Sequence, residues 1–175
     1  MGLADGEDQR LPGRAVVNIR NEQAGDYVAI RRLLTEAFGG DGEAKLVDSL
    51  RADGDIAIAL VADIEGEIVG YAALSVLKSP PHSLALAPVA VAPAQQRQGV
   101  GSALIEETLR RARAAEGGMV FVVGEPEYYA RFGFSADAAR SFDSPYAGEH
   151  FMAIAVTETP ASAAPVFYSR RFAEL

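Results

Sequence analysis

A chain of 175 residues, 49% hydrophobic and 23% charged, is long enough for one domain with a real core and is too apolar to be a disordered chain. The absence of cysteine excludes a disulfide framework, a thiol nucleophile and a cysteine-type zinc site. A net charge of −8, with no Lys/Arg face to offset it, argues against nucleic acid as a partner. With neither a signal-type apolar segment nor a membrane-length apolar run, a cytoplasmic protein that does not bind membranes is expected.

Residues 1–14 are polar, acidic and glycine-containing, and read as a disordered tail ahead of a single domain spanning 15–175. Val16, Val17 and Ile19 suggest a first strand. Tyr27, Ile30, Leu33, Leu34, Ala37 and Phe38 recur at helical spacing, and the helix stops near Gly39-Gly40. Leu46, Val47 and Leu50 mark a second, shorter helix with Gly54 just past its end. Two β-rich runs, 57–62 and 68–77, flank Glu65-Gly66, which favours a tight antiparallel hairpin. Pro80-Pro81 makes 78–83 a loop, and 84–92 is a strand leading into a long helix. Leu104, Ile105, Thr108, Leu109 and Ala112 line one face of that helix, while Glu106, Glu107, Arg110, Arg111 and Arg113 are expected to point outward. A buried-type strand at 119–123, a helical turn at 128–132, a return strand near Phe134 and a last strand at 150–157 complete the order β-α-α-β-β-β-α-β-α-β. The fold class is α/β (α+β), a mixed and mostly antiparallel sheet with helices on both faces.

The chemistry concentrates between residues 84 and 134. Gln96-Arg97-Gln98-Gly99-Val100-Gly101 joins a strand to a helix, and its glycines let several main-chain N–H groups face one ligand. The helix that begins near Ser102 adds the positive end of its dipole, so the segment reads as a cradle for a pyrophosphate. The alternative is a plain turn before an amphipathic helix. The Lys-Ser/Thr ending of a nucleotide P-loop is missing, and Leu104 stands where a dinucleotide fingerprint has its third glycine, so ATP and NAD fit poorly. Pro88 lies inside an otherwise strand-like run, where a missing N–H interrupts a ladder. An interrupted strand beside a phosphate cradle leaves main-chain groups free to pair with an extended, amide-containing arm such as pantetheine.

The tract from Gly124 to Phe134 places two adjacent tyrosines on a short helix and then a glycine between two phenylalanines. Taken together, Leu86-Ala-Pro-Val-Ala-Val-Ala-Pro93, Gln96-x-x-Gly99-x-Gly101 and Tyr129-x-x-x-Gly133-Phe134 resemble the Gcn5-related N-acetyltransferase (GNAT) superfamily, within it most closely the bacterial YhbS-like acetyltransferases. The resemblance runs from Val17 onward. It implies an acyl-CoA N-acyltransferase fold with a splayed pair of parallel strands, no metal, and acetyl-CoA as cosubstrate. Coenzyme contacts would come from Val89, Ala90, Val91, Gln96, Arg97, Gln98, Gly99, Val100, Gly101 and Ser102. A backbone N–H near Pro88 would face the thioester oxygen, and Tyr129 would protonate the departing thiolate, its other reading being a packing tyrosine.

Val122 and Glu125 stand where the commoner family pattern has Asn and Ala. His82 and Glu125 are the candidate bases, each also readable as an ordinary surface residue. The implied activity is acetyl transfer to a primary amine of a small molecule or protein, by a monomer or homodimer. The alternatives are a non-catalytic acyl-CoA sensor or a plain interaction domain.

Overall fold

The computed structural model describes the backbone of residues 7–10 and all of 15–175. Seven strands form one sheet in sequential order: β1 (Glu7–Arg10), β2 (Val16–Asn21), β3 (Ile56–Ile64), β4 (Glu67–Val76), β5 (Leu84–Val91), β6 (Met119–Val123) and β7 (Phe151–Ala155). Every neighbouring pair is antiparallel except β5 and β6. The helices are α1 (Tyr27–Phe38), α2 (Gly42–Asp53), α3 (Val100–Ala114), α4 (Pro126–Ala130) and α5 (Ala136–Ala139). Within the segment expected as a tail, Glu7–Arg10 pairs with β2; the rest of 1–14 lies outside the described residues.

The stop signals act as their chemistry requires. Gly39 and Gly54 end α1 and α2 in the left-handed region, at φ 70° and 74°. Glu65 and Gly66 take φ 52° and 87° between β3 and β4, the two positive values of a type I′ hairpin turn. The Gly66 N–H also donates to Asp63 Oδ1 at 2.7 Å.

α1 and α2 cover one face of the sheet, with Ile30, Leu33, Leu34 and Val47 against Tyr71, Ala73 and Ala90. α3 covers the other, where Val100, Ala103 and Leu104 meet Leu60, Ala62 and Ala72, and Ile105 and Leu109 meet Leu84, Leu86, Val120 and Val122. Parallel strands need a crossover, and α3 supplies it between β5 and β6.

Gly70 sets how closely the start of α3 approaches the sheet. A Cβ there would stand 2.8 Å from Leu104 Cδ1 and 3.1 Å from both Ala62 Cβ and Val100 Cγ1. Leu104 has some freedom to turn aside, but the β-branched Val100 and the strand-bound Ala62 do not. Gly70→Ala is therefore expected to destabilise the fold by about 1–3 kcal/mol, an overpacking cost. Calorimetry is expected to show a melting temperature lower by roughly 3–10 °C.

Two expectations need correction. Phe134 is not in a strand: it is buried, and the adjacent Ser135 makes a single two-bond bridge with Ala153, both N···O distances being 3.0 Å. Ser135 Oγ instead accepts from the Ala138 N–H at 3.1 Å and caps the short α5, inside a stretch that composition alone marks as loop. Glu107 does not face outward either, being only 3% exposed. Arg110 donates to it at 2.8 and 2.6 Å and Arg111 at 2.8 Å. These bonds, Arg110's first, hold its carboxyl below the usual range despite burial. Arginines one turn on let a carboxylate sit at a buried helix position.

Candidate active site

The site begins with a strand that loses its neighbours. β4 pairs with β5 as Ala72↔Val89 and then as Leu74↔Leu86, so Ala87 and Pro88 together oppose the single residue Ala73. This bulge is the form that the ladder interruption expected at Pro88 takes. On the other side, β5 meets β6 only at Leu84↔Val120 and Ala85↔Phe121, and beyond Ala85 the two strands part.

The Ala92 N–H bonds Val69 O at 2.8 Å across the β4–β5 ladder. Because an antiparallel ladder alternates inward and outward pairs, Val91 and Val89 turn their main-chain groups away from β4, toward the gap. The side-chain amide of Gln96 reaches the Val91 carbonyl from that side, at 3.1 Å.

The chain then curls into α3. Arg97 and Gly99 take φ 61° and 87°, two left-handed residues in one short turn, and α3 starts at Val100. The amides of residues 97–102 donate no hydrogen bond to the described residues; the first helical bond runs from the Ala103 N–H to Gly99 O, at 3.0 Å. A row of free donors at a helix N-terminus is an anion cradle. Facing it is α4, which Pro126 starts at its first turn.

A cavity of about 590 Å³ fills the space between. Of the residues expected from sequence, Val89, Ala90, Val91, Gln96, Arg97, Gly99, Gly101, Ser102 and Tyr129 line it. Gln98 and Val100 do not. The Gln98 side chain bonds Ala94 O at 3.0 Å, and Val100 is buried against Val17, Ala62 and Leu104, so only their amides belong to the cradle. Sequence reasoning missed Gln95, Tyr128 and Arg131. The Arg131 guanidinium lies 4.4 Å over the Tyr128 ring, and its Nε donates to Tyr128 O at 3.2 Å. A Cβ on Gly101 would stand 2.8 Å from Tyr128 Oη and 3.5 Å from Val91 Cγ2, which puts that hydroxyl across the cleft at the start of α3.

Arg97 and Arg131 both line the cavity and, among the described residues, no carboxylate does, so these residues present positive charge on a chain whose net charge is −8. The signal was legible: Arg131 is the one cation in the tract from Gly124 to Phe134. His82 and Glu125 do not line the cavity.

Tyr129 packs edge-on against Tyr128, Phe132 and Phe134 at 5.1, 6.4 and 5.8 Å between ring centroids. Its ring covers the backbone of Gly124, where a Cβ would collide with Cε2. Burial pushes its phenol up to about 12, and the hydroxyl forms no hydrogen bond with the described residues.

A parallel pair that parts beside a helix-borne anion cradle, in a mostly antiparallel sheet, is the architecture of the acyl-CoA N-acyltransferases. The chain belongs to the acetyltransferase (GNAT) family, whose pattern matches residues 27–134. It is 38% identical over 124 residues to the uncharacterised N-acetyltransferase YhbS of Escherichia coli, across 69% of this chain and 74% of that protein. The crystal structure of the Escherichia coli GNAT family N-acetyltransferase YhbS in complex with CoA superposes with a TM-score of 0.83 at 28% identity, covering 94% of this chain and 96% of that one. A GNAT family acetyltransferase from Brucella melitensis in complex with acetyl-CoA gives 0.75 at 28% identity, over 91% and 99% of the two chains. Among the described residues no helix is long and apolar enough to cross a membrane.

Proposed function

We propose that this protein is an N-acetyltransferase that moves the acetyl group of acetyl-CoA to a primary amine by direct attack. The observation that carries the reading is the free amide row 97–102 facing the outward-turned main chain of Val89 and Val91 across one cavity. The cradle amides would hold the pyrophosphate, with Arg97 and Arg131 adding charge. The β5 edge would pair with the pantetheine amides.

Chemistry would proceed where β5 and β6 part. The neutral amine nitrogen bonds to the acyl carbon, the C–S bond breaks, and the amine proton passes to sulfur through water. Tyr129 would assist at the sulfur. A phenol pushed up to about 12 is a weaker acid than a thiol near ~8.5, so handing its proton to the thiolate would cost roughly 5 kcal/mol. Its role is then that of a hydrogen-bond donor that keeps its proton. The sign follows from the raised value: the neutral, donating form is the only one populated well below 12. The pH–rate profile of wild-type enzyme is expected to rise with amine deprotonation and then stay flat through about pH 10. A descending limb between pH 8 and 10 that vanishes in Tyr129→Phe would contradict this role.

The same reading keeps the reaction in the cytoplasm. Acetyl-CoA is expected to raise the melting temperature, since a ligand that binds only the native state stabilises it. Release of free thiol on adding an amine then separates an enzyme from a coenzyme sensor.

A further inference from the structure

A second, smaller cavity opens on the same parting of β5 and β6. Its volume is about 190 Å³. Ala85 and Phe121 belong to the sheet face opposite α3, where they pack with Phe142, Phe151 and Val166, whereas Leu86 and Val122 pack toward α3. All four line this cavity. A hole lined from both faces of a sheet enters the gap between the strands rather than resting on one side. It also reaches Ala87, two residues from the Val89 of the coenzyme cleft, and Val123, which adjoins the Gly124 covered by Tyr129. The two cavities therefore approach the same point from opposite sides of the sheet.

Four of the ten residues that line this side are aromatic: Phe121, Tyr146, Tyr168 and Phe172. Tyr146 meets Tyr168 edge-on at 5.1 Å, and Tyr168 meets Phe172 at 5.3 Å. Among the described residues no Asp, Glu, Lys, Arg or His side chain lines the cavity. Three of the eight large hydrophobic side chains that the described residues leave exposed, Val123, Tyr146 and Leu175, rim this one mouth. An apolar cluster of that kind at a cavity mouth marks a binding site.

Building on the acetyltransferase reading, we infer that this cavity receives the acceptor and that the acceptor is a small alkyl- or arylalkylamine without a carboxylate. An ammonium ion would enter with its alkyl or aryl body against the tyrosine and phenylalanine side chains. Once enclosed there it is easier to deprotonate, because an apolar site disfavours the charged form. The free amine needed for attack is thus produced without a side-chain base, consistent with the absence of His82 and Glu125 from either cavity. An α-amino acid would have to bury its carboxylate in a cavity that no cation of the described residues lines, Arg170 lying in the neighbouring cavity that shares Tyr146, Tyr168 and Phe172. At about 190 Å³ the cavity lies below the usual range for drug-sized ligands, which favours a compact acceptor.

The test compares three acceptors with the full-length protein and acetyl-CoA: phenethylamine, glutamate and an alanine-initiated hexapeptide. Thiol release and the mass of the acetylated product are the readouts, after calorimetry has shown acetyl-CoA binding. Phenethylamine is expected to lead glutamate in kcat/KM by on the order of 10²-fold. Tyr146→Ala, at a half-exposed rim position, is expected to cut kcat/KM for phenethylamine by about tenfold with acetyl-CoA affinity unchanged. Preference for glutamate or the peptide would overturn the acceptor class and leave the acetyltransferase reading intact, as would an unchanged kcat/KM in the folded Tyr146→Ala variant. Absence of acetyl-CoA binding, or binding with no transfer to any of the three, would overturn the acetyltransferase reading and the acceptor with it.

Discussion

Replacing Gly101 with valine is expected to weaken acetyl-CoA binding by 10²- to 10³-fold while leaving the protein folded. Gly101 sits in the first turn of α3, where a side chain costs the helix little. What it lacks is room: a Cβ would stand 2.8 Å from Tyr128 Oη and 3.5 Å from Val91 Cγ2, inside the cleft itself. Two further methyl groups would cover the amides proposed to face the pyrophosphate. Losing two charge-assisted bonds in the lower part of the usual range, about 1.5–2 kcal/mol each, accounts for the expected effect. Gly99 is the less clean target. Its φ of 87° would strain any other residue by about 1–2 kcal/mol, so Gly99→Val mixes lost stability with lost binding. Isothermal titration with acetyl-CoA on a folded Gly101→Val protein measures the effect, and unaltered affinity would remove the start of α3 from the site.

Tyr129→Phe is expected to lower kcat by on the order of 10²-fold with acetyl-CoA affinity held within a few-fold. Phenylalanine keeps the ring contacts with Phe132 and Phe134. It removes a hydroxyl that bonds to none of the described residues, so no partner is orphaned. Tyr128→Phe is the informative comparison. Its hydroxyl lies at the start of α3 rather than over Gly124, so its loss is expected to raise KM for acetyl-CoA and spare kcat. Adjacent residues on a helix project about 100° apart, yet both tyrosines line the one cavity. The large, mutually packed rings explain this, since their ends reach into shared space from divergent Cα positions. Full turnover by Tyr129→Phe, measured where chemistry limits the rate, would return Tyr129 to a packing role.

Local signals were legible where one residue's conformational limits decide the outcome. Gly39, Gly54 and the Glu65-Gly66 pair placed two helix ends and a hairpin, Pro88 marked the interrupted ladder of β5, and the parting of β5 from β6 followed from the family resemblance. The turn ahead of α3 was legible for the same reason, since Gly99 supplies the left-handed residue that it requires. Illegible features depend on residues distant in sequence. The aromatic wall joins Phe121, Tyr146, Tyr168 and Phe172 from three separate segments, and nothing in their spacing announces it. α5 was missed because Ser135, which caps it, and Asp137, in its first turn, are also what loops are made of. Glu107 was misjudged because its burial depends on the arginines one turn on rather than on its own polarity.

The most direct measurement is a titration of nitrogen-15-labelled protein with coenzyme A, followed by amide resonances. Saturable shifts centred on amides 97–102 and on Val89 and Val91 are expected, with Gly99 and Gly101 among the largest. Saturation with those amides unmoved, or shifts confined to another part of the sheet, would contradict a coenzyme site between α3 and the parted strands.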